Sequence, residues 1–177
     1  MPKLLDERPY KGIIVLTPSN NITNSDKMPS DEQNQMALQT PLETLAIVEK
    51  ALKDYPTVEK AVIVELPPRA DSSRLAELSE FSNFVLKGAV AKSRYNNQIS
   101  VASLDSLYDY NNDDIFGNPS STNYERIHMR GKFGSKVYTD SILTAVWAAG
   151  LCKTNTTTTP TTTNGISTSN RYQTLSN

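Results

Sequence analysis

The sequence has one cysteine (Cys152), one histidine (His128) and one tryptophan (Trp147). A lone cysteine excludes an intrachain disulfide and a thiolate cage around a metal, so no metal or cofactor is expected. A charge excess is missing too: 18 Lys and Arg stand against 19 Asp and Glu, a net charge of −1. That balance gives no electrostatic footing for nucleic acid or for an anionic membrane surface. No apolar run approaches the roughly 20 residues of a membrane span. The start, MPKLLDERPYKG, is charged and lacks the apolar core of a signal peptide. Neither nucleic acid nor membrane is therefore expected as a partner, and a cytoplasmic location is the expectation.

What is there suits one domain, since 177 residues fall in the usual range of one. Hydrophobic content is 37 %, and two polar stretches, residues 20–40 and 155–177, dilute it. The second collapses to TNTTTTPTTTNGISTSN, which cannot bury enough apolar area to offset its ordering entropy. Residues 152–177 are expected to be a disordered tail and residues 1–151 the domain. A glycosylated stalk has the same composition, and Asn155-Thr156-Thr157 is a sequon, but both need a secretory route.

Residues 12–17 (GIIVLT) are a short apolar run, rich in β-branched residues, that stops at Pro18-Ser19-Asn20-Asn21. The run reads as a strand buried on both faces. Asn20 and Asn21 then follow its C-terminal end, the edge where open α/β sheets bind ligands. Residues 22–40 are polar and read as a loop or lid. Residues 42–55 carry Leu45, Val48, Ala51, Leu52 and Tyr55 at helical spacing, closed by Pro56. Residues 60–66 (KAVIVEL) are a second buried strand, stopped by Pro67-Pro68. Asp71 or Ser72 is positioned to cap the next helix, which runs to about Tyr95 with Leu75, Leu78, Phe81, Leu86, Val90 and Ala91 on its apolar face. Residues 97–104 form a third, more polar strand, nearer a sheet edge. Residues 105–123 read as an irregular solvated loop; its DYNNDD run lacks the glycine and closing glutamate of a calcium loop. Strands alternating with helices predict a three-layer α/β fold with a parallel sheet.

Residues 124–142 (YERIHMRGKFGSKVYTDSI) are the chemically suggestive stretch. His128 follows Glu125 by three residues. Then come a Gly-Lys-Phe-Gly turn and, after Gly134, a helix with Val137, Tyr138, Ile142, Val146 and Trp147 inward. An imidazole exchanges a proton near neutral pH, and a carboxylate can hold its other nitrogen. A lone histidine beside a loop also fits an ordinary polar surface position.

Across residues 11–149 these blocks resemble the SGNH (GDSL-type) hydrolase superfamily. The strand running into Pro18-Ser19-Asn20-Asn21 resembles the family's third block, usually Gly-x-Asn-Asp. The strand ending in Leu66-Pro67-Pro68-Arg69-Ala70-Asp71 resembles the exit of the following strand. Glu125-Arg126-Ile127-His128 with Gly131 resembles the last block, usually Asp-x-x-His. The resemblance implies a flavodoxin-like, SGNH-hydrolase-like fold and hydrolysis of a small ester. It makes His128 the general base, Glu125 the acid that orients it, and Asn20 a donor to the oxyanion. Such a donor is worth roughly 2.7–4 kcal/mol.

The sequence departs from that pattern in three places. No Gly-Asp-Ser block, the family's nucleophile, stands anywhere in it. Pro18 replaces the third-block glycine, and Glu125 replaces aspartate. The first strand, its helix, the second strand and the second-block glycine are likewise expected to be missing. The sheet is then incomplete, and the strand from Ile13 to Leu16 loses its neighbour. Its edge should drive self-association or take a partner segment. Two functions stay open: an ester hydrolase whose serine comes from an upstream segment, or a non-catalytic pseudoenzyme that serves a larger polypeptide as a binding or accessory module. A plain flavodoxin-like or receiver-like domain is weaker, because neither an acidic cluster at the first strand nor a phosphate-cradling Gly-rich loop is present.

Overall fold

The computed structural model describes residues 11–23, 27–109, 112–116 and 131–151. Three parallel strands, β1 (Gly12–Leu16), β2 (Lys60–Val64) and β3 (Ile99–Ala102), pair in the order β1-β2-β3. Helix α1 (Ser19–Thr23) follows β1, and α2 (Ser30–Asp54) crosses from there to β2. Helix α3 (Ser73–Lys92) crosses from β2 to β3. A 3-10 turn (Asp105–Asp109), α4 (Asn112–Phe116) and α5 (Gly131–Ala148) follow. The α/β alternation and the parallel sheet are as expected from the sequence.

Side chains alternate across β2, so it feeds two cores. Ala61 and Ile63 join Leu45, Val48 and Leu52 of α2 and Leu86 and Val90 of α3. Val62 and Val64 join Val137 and Val146 of α5 on the other face. Both crossover helices thus lie on one face and α5 on the other. All of residues 61–64 are fully buried, which is why β2 is an uninterrupted run of small and β-branched apolar residues.

The same composition in β1 has a different fate. Ile13 and Val15 pack against the α2–α3 core, but Ile14 and Leu16 are 46 % and 56 % exposed. Burial on both faces was the wrong expectation. Among the described residues β1 is an outer strand, and α5 packs under β2 and β3.

Residues 22–40 are largely helical where a loop or lid was expected. Ile22 is fully buried with Ala37, Leu66, Leu75 and Leu78. Helix α2 begins at Ser30, a dozen residues before the expected start, and contains Pro41. The buried side of its first half is Gln33, Ala37, Thr40, Pro41 and Thr44. That is a helical spacing carried by small and polar residues, which a search for aliphatic side chains passes over. Pro41 removes one backbone donor. Asp31 and Glu32 in the first turn and Lys53 in the last suit the helix dipole.

Four further expectations are corrected. Helix α3 ends at Lys92, where the Ser93 hydroxyl donates to Glu49 and accepts from the Tyr95 N–H. Residues 105–123 are not wholly irregular, because the 3-10 turn and α4 lie within them, and Ile115 and Phe116 are fully buried. Helix α5 starts at Gly131, so Gly134 is inside it. Trp147 points outward, 58 % exposed. It is nine residues beyond the half-buried Tyr138, half a rotation round the helix.

Candidate functional site

All three strands end at one edge, and of the expected site residues Asn20 lies there. Thr17 closes β1: its N–H and its hydroxyl both donate to the Val64 carbonyl, at 3.2 and 2.7 Å. Pro18 then turns the chain into α1. Asn20 stands exposed on that helix, directly past the C-terminal end of β1. Asn21 is half-buried, and its amide donates to the Thr40 hydroxyl at 3.4 Å. His128 and Glu125, the expected base and its orienting acid, lie outside the described residues.

The exit of β2 is built from polar groups held in the interior. Glu65 is 3 % exposed. One carboxylate oxygen accepts from the Ser103 hydroxyl at 3.0 Å and from the Leu104 N–H at 3.1 Å. The other lies 2.8 Å from the Lys87 ammonium, which also stands 3.9 Å from Asp105. The hydrogen bond with Glu65 raises the Lys87 pKa above its ordinary 10.5, against a smaller opposing effect of burial. One residue on, the Asn83 amide clamps Leu66, accepting from its N–H and donating to its carbonyl, each at 2.9 Å. Then Arg69 and Asp71 form a two-point ion pair with side chains only 4 % and 6 % exposed.

Apart from Asp71, read as a possible cap of the next helix where Ser72 is the cap found, none of these residues was assigned a role from the sequence. Glu65 carries one signal, a charge at the end of an otherwise apolar run. Lys87 and Asn83 carry none, because their relation to the strands is tertiary. An open groove of about 600 Å³ lies between α2 and α3, lined by Asn34, Leu38, Arg74, Glu77 and Phe81 among others. Arg74 spans its rim to Asn34 at 2.7 Å.

The site is thus a parallel-sheet edge with an exposed amide, a buried Arg69–Asp71 pair and a Glu65–Lys87 pair whose ammonium is half-exposed. Such an edge can present hydrogen-bond donors to a ligand, and the ion pairs fix the β2 exit beside it. Among the described residues no cluster of His, Cys, Asp or Glu could hold a metal ion, and no helix is long and apolar enough to cross a membrane. Compared with family profiles, curated proteins and solved structures, the chain has no match.

Proposed function

We propose that this chain is an SGNH-hydrolase-like domain. It contributes the base and oxyanion side of an ester-binding site and has no serine nucleophile of its own in this sequence. One observation carries the reading. Ile22 of α1 packs with Leu66, Leu75 and Leu78, so the segment bearing Asn20 adjoins the Leu66–Pro67–Pro68–Arg69 exit of β2. Those are two of the three blocks on which the resemblance rests. In this reading Asn20 donates to the carbonyl oxygen of a small ester, and His128, oriented by Glu125, is the proton acceptor. Hydrolysis then requires a serine supplied from outside this sequence.

A second reading, a non-catalytic binding module, is favoured by how four of the described serines are used. Ser72 caps α3, Ser79 bonds the Leu75 carbonyl, Ser93 bonds Glu49 and Ser103 bonds Glu65. Each of these four hydroxyls serves the fold, while the Ser82 hydroxyl is buried without a hydrogen-bond partner among the described residues.

The test is hydrolysis of a short-chain activated ester, with fluorophosphonate labelling alongside. The wild-type chain is expected to turn over no faster than His128→Ala and to remain unlabelled, because members of a triad act as a unit. Turnover that disappears in His128→Ala, with a labelled serine, would overturn the absence of a nucleophile. The ester site itself is tested by NMR titration with a short-chain phosphonate ester. The ring signals of His128, the only histidine, should shift, and less so in Asn20→Ala. Ring signals that ignore the ligand would overturn the ester-binding reading.

A further inference from the structure

The outer edge of β1 has a geometry that fits a second copy of itself. In a parallel ladder the N–H and C=O of one residue point to the same side, and sides alternate along the strand. The Lys11 carbonyl accepts from Lys60, and the Thr17 N–H donates to Val64, so the odd-numbered residues face β2. The N–H and C=O groups of Gly12, Ile14 and Leu16 therefore face outward. The strand Gly12–Leu16 has no charge, proline or bulge to discourage pairing, and Ile14 and Leu16 expose apolar side chains on the same edge.

We propose that β1 is a homodimer interface, pairing antiparallel with β1 of a second copy about a two-fold axis at Ile14. One sheet then runs through both molecules. In this register Ile14 lies opposite its own copy, and Gly12 lies opposite Leu16 of the other. These are the outward-facing residues, so each pair exchanges both of its N–H···O=C bonds. The side-chain fit is also reciprocal. Gly12 has no side chain, and Leu151 occupies the space where its Cβ would be. The Leu16 side chain of the second copy, set beside Gly12, finds that apolar neighbour.

A strand of five residues, about 17 Å long, is too small for the roughly 1,600 Å² of a standard interface. Helix α2 supplies the rest. It shares its core with Ile13 and Val15 of β1, and the sheet spacing brings α2 of each copy to about 10 Å, the ordinary separation of packed helices. Ile47 is 56 % exposed and nine residues from Leu38, which lines the groove toward α3. Nine residues is half a rotation, so Ile47 faces away from α3, toward the β1 edge.

The test is sedimentation of the full chain over a wide concentration range, with two variants. The wild type should be a dimer, and Ile14→Lys should be a monomer with an unchanged circular dichroism spectrum. In a Cys152→Ser background, Ile14→Cys should cross-link to a covalent dimer on oxidation. Paired residues there lie about 5.5 Å apart at Cα, within disulfide reach. Leu38→Cys in the same background should not cross-link. The cross-link decides the matter if Ile14→Lys fails to fold. A wild type that is monomeric at every concentration overturns the proposal. So does a dimer that survives Ile14→Lys and does not cross-link through position 14.

Discussion

The Lys87 ammonium lies 2.8 Å from the Glu65 carboxylate at the point where β2 leaves the sheet. Glu65 is also bonded to Ser103 and Leu104, just past the end of β3. One side chain thus ties the exits of two neighbouring strands to helix α3. With the Asn83 clamp on Leu66, it fixes the loop that carries Arg69 and Asp71.

Removing the Lys87 charge leaves the Glu65 carboxylate with only neutral donors in the interior. Breaking a fully buried pair costs about 3–5 kcal/mol. Lys87 is 48 % exposed, so water replaces part of what is lost, and Lys87→Met is expected to cost on the order of 1–2 kcal/mol. The pH dependence has a definite sign. The folded state holds the Lys87 proton more tightly than the unfolded chain does. The stabilisation is therefore complete below the ordinary value of 10.5 and lost as pH rises through the raised folded value. Urea unfolding near neutral pH and above pH 10.5 checks it. The gap between wild type and Lys87→Met should narrow at the higher pH, and a constant gap refutes the assignment.

The buried Arg69–Asp71 pair predicts an asymmetry. Asp71→Ala leaves a guanidinium in the interior without its two-point carboxylate and is expected to cost about 3–5 kcal/mol. Arg69→Met with Asp71→Leu removes both charges and should recover most of that loss. Thermal or urea melts of the single and double variants measure the difference. Equal destabilisation by both would mean that the pair is not what holds this loop.

How much of this was legible depended on whether a residue's role was local. The three strands could be read because each is an apolar run with turn residues at its end, and β2 was read nearly to the residue. The first half of α2 could not, since its buried side is Gln33, Ala37, Thr40 and Thr44 and its one obvious signal, Pro41, argues for a break. Ile14 and Leu16 looked as buried as Val62 and Val64, because an outer strand differs from a central one only in its neighbours. At the candidate site Asn20 was legible as the residue after a strand. Glu65, Asn83 and Lys87 were not, because their partners lie 17 to 39 residues away or on another element. Trp147 was misread for a simpler reason: it was read inward together with its neighbour Val146, and adjacent helix positions point about 100° apart.

Two glycines, both inside helices, should respond in opposite directions to the same substitution. A Cβ on Gly134 would stand 2.4 Å from the Ile115 carbonyl oxygen, and that neighbour is backbone. Ile115 and the adjacent Phe116 are fully buried, so α4 cannot move aside freely. Gly134→Ala is therefore expected to destabilise by about 1–3 kcal/mol, as overpacking of a close contact does. Gly88, in α3, has nothing within 4 Å of its would-be Cβ, and its backbone is ordinary helix. There the methyl group meets no resistance, and alanine restricts the unfolded chain more than glycine does. Gly88→Ala is expected to stabilise by about 0.5–1 kcal/mol. Urea denaturation of the two variants beside wild type gives the signs directly. A Gly134→Ala protein as stable as wild type would mean that α4 does not pack on α5 at that distance, and the close approach that makes glycine necessary inside α5 would be wrong.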